Sequence, residues 1–249
     1  MSEKAVFFTL ASDEYYYPAG CHKFVNSFKR FHPDIDLVVF RQDMIDKVFK
    51  EKGINFFNAK PTFAKLLTPY FDLVVNIDCD SLILGRAEEV LKQDYDIGAA
   101  WNYNDYENRK IENVSEKMFL NAGLVASRDK TFWDIWEREN RNAYKYTCAE
   151  NDILCLNWYN HPYIKGLKRK VFDKDIKDFY GCKSLGKEKY FALNDGKVMY
   201  NGGRLVIYHN AKGKAFPKLD FYKLGFQKGV ADFMEGISVY GATYRMGAL

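Results

Sequence analysis

The stretch "LVVNIDCDSLIL", residues 73–84, decides the fold. Leu73-Val74-Val75 lead through Asn76-Ile77 into Asp78-Cys79-Asp80, and a second apolar run, Leu82-Ile83-Leu84, follows. A short apolar run bounded by polar residues reads as a strand covered on both faces. Two carboxylates, one residue apart, then stand at its carboxyl end. In an open α/β sheet ligands bind just beyond that end.

The flanking sequence repeats the pattern. Val6 to Leu10 is a buried strand, and Cys21, Phe24, Val25, Phe28 and Phe31 recur on one helix face before His32-Pro33 stops it. Leu37 to Phe40 is a second strand. Met44, Ile45, Val48 and Phe49 mark a helix that Gly53 ends, Ile54 to Phe57 is a third strand, and Pro61 opens a helix ahead of the strand Leu73 to Ile77. Apolar strands alternating with helices predict an α/β fold, a mostly parallel sheet flanked by helices.

The second half is less regular. Strands are expected over Asp96 to Trp101, Phe119 to Ala126, Val171-Phe172, Tyr190 to Leu193, Lys197 to Tyr200 and Leu205 to Tyr208. Helices are expected over residues 129–145 and 149–159, and Asn194-Asp195-Gly196 signals a hairpin. This is a smaller antiparallel β portion, with a polar loop over 102–116 and a weakly helical tail.

The 249 residues suit one domain, read as two halves (1–100 and 101–216) and a tail (217–249). Net charge is +4 and no long run of like charges occurs, so the sequence carries no strong nucleic-acid footprint. Cys21, Cys79, Cys148, Cys155 and Cys182 are an odd set with no CxxC pair, which fits free thiols. With no signal-peptide pattern and no long apolar span, the expectation is a cytoplasmic protein without a transmembrane segment.

Asp78 and Asp80 fall on one side of an extended backbone, because strand side chains alternate. Adjacent carboxylates repel, and a hard divalent cation such as Mn²⁺ or Mg²⁺ resolves the conflict while reaching a diphosphate. A solvated acidic turn or a helix cap is the commoner reading of an isolated Asp-x-Asp, and the flanking buried strand brings the two readings level. His209 closes the run Leu205 to Tyr208 and is a candidate third ligand, with Lys212 and Lys214 beside it to offset phosphate charge.

Five stretches, in order, resemble the motifs of glycogenin-like family 8 glycosyltransferases. They are the opening "FFTLASDEYYYPAGCHKF", the acidic "NIDCDSLIL" with "FAKLL" upstream, "FLNAGLVAS", "AENDILCLN" and "HNAKGKAF". The last departs from the family's His-x-x-Gly-x-x-Lys-Pro-Trp ending, and Phe216-Pro217 stands where Pro-Trp is usual.

The resemblance implies a GT-A fold with a Rossmann-like sheet and a UDP-sugar donor. It implies a metal held by Asp78, Asp80 and His209 around Cys79. Thr9 and Leu10 would line the base pocket, with Tyr16 or Tyr17 stacking on uracil. Lys65 would approach the donor phosphate or sugar, and Asn121 and Gly123 would sit at the acceptor side of the sugar. Glu150 or Asp152 would bind sugar hydroxyls. Lys212 or Lys214, around Gly213, would hold the β-phosphate. The activity implied is retaining transfer of a hexose, glucose or galactose, to a hydroxyl of an unknown glycan, lipid or protein. A nucleotidyltransferase acting on a sugar phosphate and a non-catalytic nucleotide-sugar-binding module are the alternatives. The acidic, aromatic loop "ASDEYYYPAG" differs from the Gly-rich basic loop usual in nucleotidyltransferases.

Overall fold

The structure, a computed structural model, describes residues 3–12, 21–53, 59–92, 94–101, 120–141, 149–172, 179–181, 191–200, 202–209 and 227–238. The expected strand at 54–57, the loop at 102–116 and most of the tail lie outside the described residues.

The chain opens with β1 (Ala5–Ala11), α1 (Cys21–Phe31), β2 (Asp36–Arg41), α2 (Gln42–Lys52), α3 (Lys60–Leu67) and β3 (Leu73–Ile77). β4 (Ser81–Ile83), α4 (Glu88–Lys92) and β5 (Ile97–Trp101) follow, then β6 (Leu120–Ser127), α5 (Lys130–Asn140) and α6 (Ala149–Asn160). The remainder is α7 (Pro162–Lys165), β7 (Arg169–Phe172), β8 (Phe179–Gly181), β9 (Phe191–Asn194), β10 (Lys197–Tyr200), β11 (Gly203–Arg204), β12 (Ile207–His209) and α8 (Lys228–Ser238).

The main sheet has the order β2-β1-β3-β6-β5-β7. β2, β1 and β3 are parallel, β5 and β7 are parallel, and β6 runs against both of its neighbours. The sheet is therefore mostly parallel with one inverted strand in its middle. Period-two alternation sends Val6, Phe8 and Leu10 of β1 into one core with Phe63 of α3, Trp133 and Trp136 of α5 and Leu154 of α6. Phe7 and Ala11 face the opposite core with Phe24 and Phe28 of α1. A sheet covered on both faces is what the continuous apolar strands require.

Turn chemistry follows the sequence. Gly53, at φ 64°, closes α2 by donating its N–H to the Phe49 carbonyl at 2.8 Å. Asp195 and Gly196, at φ 48° and 66°, join β9 to β10 in the hairpin that Asn194-Asp195-Gly196 predicted.

Two small sheets differ from the expected antiparallel portion in one respect. The β11-β10-β9 sheet is antiparallel. The β4-β12-β8 sheet draws β4 from the first half and pairs β12 antiparallel with β4 but parallel with β8. α8 contributes Val230, Ala231 and Met234 to a third core with Leu82 and Tyr208. Among the described residues no helix is long and apolar enough to cross a membrane.

Candidate metal centre

Asp78 and Asp80 do not lie on an extended backbone as their spacing suggested. β3 ends at Ile77, and the chain turns as the Ser81 N–H donates to the Asp78 carbonyl at 3.1 Å. The turn takes the chain out of the main sheet and into β4. β12 then pairs antiparallel with β4, setting His209 opposite Ser81 and so beside Asp80. Convergence of the two carboxylates on the imidazole comes from this turn and the strand pairing, not from strand alternation.

The convergence is close. His209 Nε2 is 3.3 Å from Asp78 Oδ2 and 3.1 Å from Asp80 Oδ1. One ligand atom from each of the three residues lies within 4.8 Å of the others. Burial alone would lower the His209 pKa, but Asp80 and Asp78 outweigh it and raise it to about 9. Two hard oxygens and an imidazole nitrogen form a donor set suited to Mn²⁺ or Mg²⁺. Gly123 supplies the room. A Cβ built there would stand 2.7 Å from His209 Cε1 and 2.9 Å from Asp78 Oδ2.

Among the described residues the lysine that reaches this cluster is Lys60, not Lys65. Lys60 Nζ lies 2.7 Å from Asp78 Oδ1 and 3.0 Å from Glu150 Oε1, and donates to the Ala122 carbonyl at 3.1 Å. An ammonium has three N–H donors, so all are used. Asp78 is thereby divided, one oxygen turned to Lys60 and the other to His209. Burial would raise the Asp78 carboxyl, but Lys60 and His209 hold it well below the usual carboxylate range. The Glu150 carboxyl is pushed up by burial, with Asp78 adding to the effect and Lys60 opposing it.

Lys65 pairs instead with Asp134 at 2.8 Å and Glu137 at 2.6 Å on α5. Five residues along a helix are about 7.5 Å of rise and about 140° of rotation, enough to carry Lys65 off the sheet's carboxyl edge and onto another face. One feature of the sequence does point to Lys60. A lysine in a first helical turn opposes the helix dipole and calls for compensating carboxylates.

β6 supplies the floor of the site through a bulge. Ala99 pairs with Val125, whereas the next residue, Ala100, pairs with Asn121. Residues 122–124 thus lack partners in the β5 ladder. Backbone groups of Ala122 and Gly123 turn to the site. The Gly123 carbonyl accepts from Asp78 N at 2.8 Å, and the Ala122 N–H donates to Asn151 Oδ1 at 2.7 Å. Asn121 Oδ1 accepts from Gly123 N at 2.7 Å. Asn121 therefore braces the bulge, and Asn151 ties it to the first turn of α6.

The remaining candidates divide. Asp152 is buried in α6 near Glu150 in sequence. Leu10 belongs to the core with Phe40 and Phe63. Thr9 is fully buried in β1, with no hydrogen-bond partner for its hydroxyl among the described residues. The Cys79 side chain is turned into the core that holds Cys21, leaving only its backbone to a ligand. The Cys21 thiol and burial push the Cys79 thiol up. Tyr16, Tyr17, Lys212, Gly213 and Lys214 lie outside the described residues.

No family model matches the sequence, and no curated protein matches it. Solved structures do share the fold. The galactosyltransferase LgtC, bound to donor and acceptor sugar analogues, superposes with a TM-score of 0.57 at 11% identity, over 94% of this chain and 95% of LgtC. The glycosyltransferase GlyE of Streptococcus pneumoniae gives 0.56 at 12% identity, over 96% of this chain and 61% of GlyE. A glycosyltransferase that acts in glycosylation of the major capsid of PBCV-1 gives 0.54 at 10% identity, over 94% and 98%. The chain has the GT-A fold of these glycosyltransferases.

Proposed function

We propose that the protein is a glycosyltransferase that moves a hexose, glucose or galactose, from a UDP-sugar to a hydroxyl acceptor with retention of anomeric configuration, as in family 8. The observation that carries this reading is the meeting of Asp78, Asp80 and His209 within 4.8 Å at the carboxyl edge of a GT-A sheet. Asp78, Asp80 and His209 would hold the cation, Mn²⁺ or Mg²⁺. When bound, it supplies positive charge where the leaving diphosphate gains negative charge.

The chain's own residues provide the rest. Lys60 bridges Asp78 and Glu150 and keeps both carboxylates oriented at the site. Glu150 or Asp152, on the first turn of α6, accepts hydrogen bonds from sugar hydroxyls. Asn121 accepts from the Gly123 N–H and braces it, and the glycine's lack of a side chain lets a sugar approach the backbone. The backbone of Thr9 and Leu10, whose side chains are buried, would bind the base together with Tyr16 or Tyr17, and Lys212 or Lys214 would hold the β-phosphate. In a retaining transfer the departing phosphate oxygen takes the acceptor's proton, so no dedicated base is required.

The test is UDP release from UDP-glucose and UDP-galactose, with and without Mn²⁺. Asp80→Asn is expected to abolish Mn²⁺-dependent release while leaving the unfolding temperature nearly unchanged. A large loss of stability without loss of metal-dependent turnover would make Asp80 a structural residue. Formation of diphosphate from UTP and a sugar phosphate would mean nucleotidyl transfer instead.

A further inference from the structure

Asn76 is a polar residue in the middle of β3, a strand buried along its whole length. Burying an amide without full hydrogen bonding costs stability. Asn76 Oδ1 is buried and has no hydrogen-bond partner among the described residues. Its Nδ2 makes a single bond, donated to the Ala122 carbonyl at 2.9 Å. An apolar side chain would serve the core better, so that one bond is the reason to keep the amide.

The acceptor is not an ordinary ladder carbonyl. Ala122 belongs to the bulge of β6, and its carbonyl takes two donors, Asn76 Nδ2 and Lys60 Nζ at 3.1 Å. A carbonyl oxygen has two lone pairs, so both are engaged. Asn76 holds this carbonyl turned toward α3, and the carbonyl is the third support of the Lys60 ammonium, beside Asp78 and Glu150. The reverse orientation of the amide would set Oδ1 against the Ala122 oxygen, so the donor end is fixed by the contact itself.

We infer that Asn76 is a positioning residue: through the Ala122 carbonyl it fixes the Lys60 ammonium between Asp78 and Glu150. This deepens the reading of the site as a glycosyltransferase centre and rests on it for the effect on turnover. The geometric claim about Lys60 stands apart and has its own readout.

The experiment is competitive acetylation of the folded protein with acetic anhydride, followed by mass spectrometry of Lys60 and Lys65 in the same sample. Asn76→Leu removes the donor while keeping the volume. It is expected to raise the ratio of Lys60 to Lys65 acetylation above that of the wild-type protein. Asn76→Gln, which keeps a donor, should fall between the two. If Asn76→Leu fails to fold, Asn76→Ala carries the same readout without added bulk. An unchanged Lys60-to-Lys65 ratio, or a parallel rise of both, overturns the inference. In the transfer assay Asn76→Leu should lower kcat/KM for the donor about tenfold, and Mn²⁺ affinity by calorimetry should fall with it, because Lys60 supports Asp78. Unchanged kcat/KM together with a raised labelling ratio would remove the role in turnover. Absence of UDP release from the wild-type protein would sink the functional reading and leave the labelling result to decide the geometry.

Discussion

A Cβ at Gly123 would stand 2.7 Å from His209 Cε1, inside van der Waals contact. The same atom would be 2.9 Å from Asp78 Oδ2 and 2.9 Å from Asn121 Oδ1. These neighbours belong to buried or braced groups, so little can give way. The backbone there has no positive φ. The requirement for glycine is thus one of space between the imidazole and the carboxylate.

Gly123→Ala should therefore weaken Mn²⁺ binding by at least about tenfold, since the added methyl pushes two ligands apart. Calorimetric titration of Mn²⁺ measures it. Unfolding temperature should fall as well, because three braced neighbours must shift to admit the methyl even though the backbone conformation suits alanine.

Lys60→Met should destabilise the fold by about 3–5 kcal/mol, the scale for removing one partner of a buried ion pair. The cause is the stranding of Asp78 and Glu150 without a counter-charge. Adding Glu150→Gln should recover part of the loss by replacing one stranded carboxylate with a neutral group of the same shape. Urea unfolding of the single and double variants checks this, and equal instability of the two would contradict it.

Lys65→Met should leave Mn²⁺ and UDP binding unchanged. Its partners Asp134 and Glu137 lie on α5, and Glu137 keeps a second bond from Thr62 Oγ1 at 2.7 Å. The stability cost should be about 1 kcal/mol, as for a half-exposed ion pair. A loss of UDP affinity in a thermal-shift titration would return Lys65 to the site.

His32 should make stability fall as pH drops. Its ring is buried and stacked on Phe28, with centroids 4.7 Å apart, and Nε2 accepts from Ala87 N at 3.0 Å. Burial, aided by Arg86, lowers its pKa from 6.5 to about 4. The unfolded chain takes up a proton near pH 6.5 while the native state refuses it until about 4. Stability contributed by the neutral ring is therefore full above that window and declines by about 2–3 kcal/mol as pH falls through it. His32→Gln, which keeps an acceptor for Ala87, should flatten that decline in urea titrations across the range.

Periodicity was enough to identify the strands β1, β2, β3, β5 and β6 and the helices α1, α2 and α3. Burial on both faces leaves a continuous apolar run, and a single buried helix face leaves a 3.6-residue rhythm. Turn residues were equally readable at Gly53 and Asp195-Gly196, because left-handed backbone selects those residue types. The inverted direction of β6 was not readable, since a strand buried on both sides has the same composition whichever way it runs. Nor was the pairing of β12 with β4, which joins residues far apart in sequence.

At the site the same division holds. The sequence by itself determined that Asp78 and Asp80 stand at the end of a buried strand and that His209 closes another, because each is a matter of neighbouring residues. Only the tertiary structure decided that Lys60 rather than Lys65 meets Asp78. It also decided that the β6 bulge turns the Ala122 carbonyl toward Lys60 and that Asn76 is bonded to it. The physical reason is that a local rhythm specifies which residues are buried, but not how a helix is rotated against a distant strand. That rotation is set where α3, β3 and β6 pack together, and there the charges find their partners.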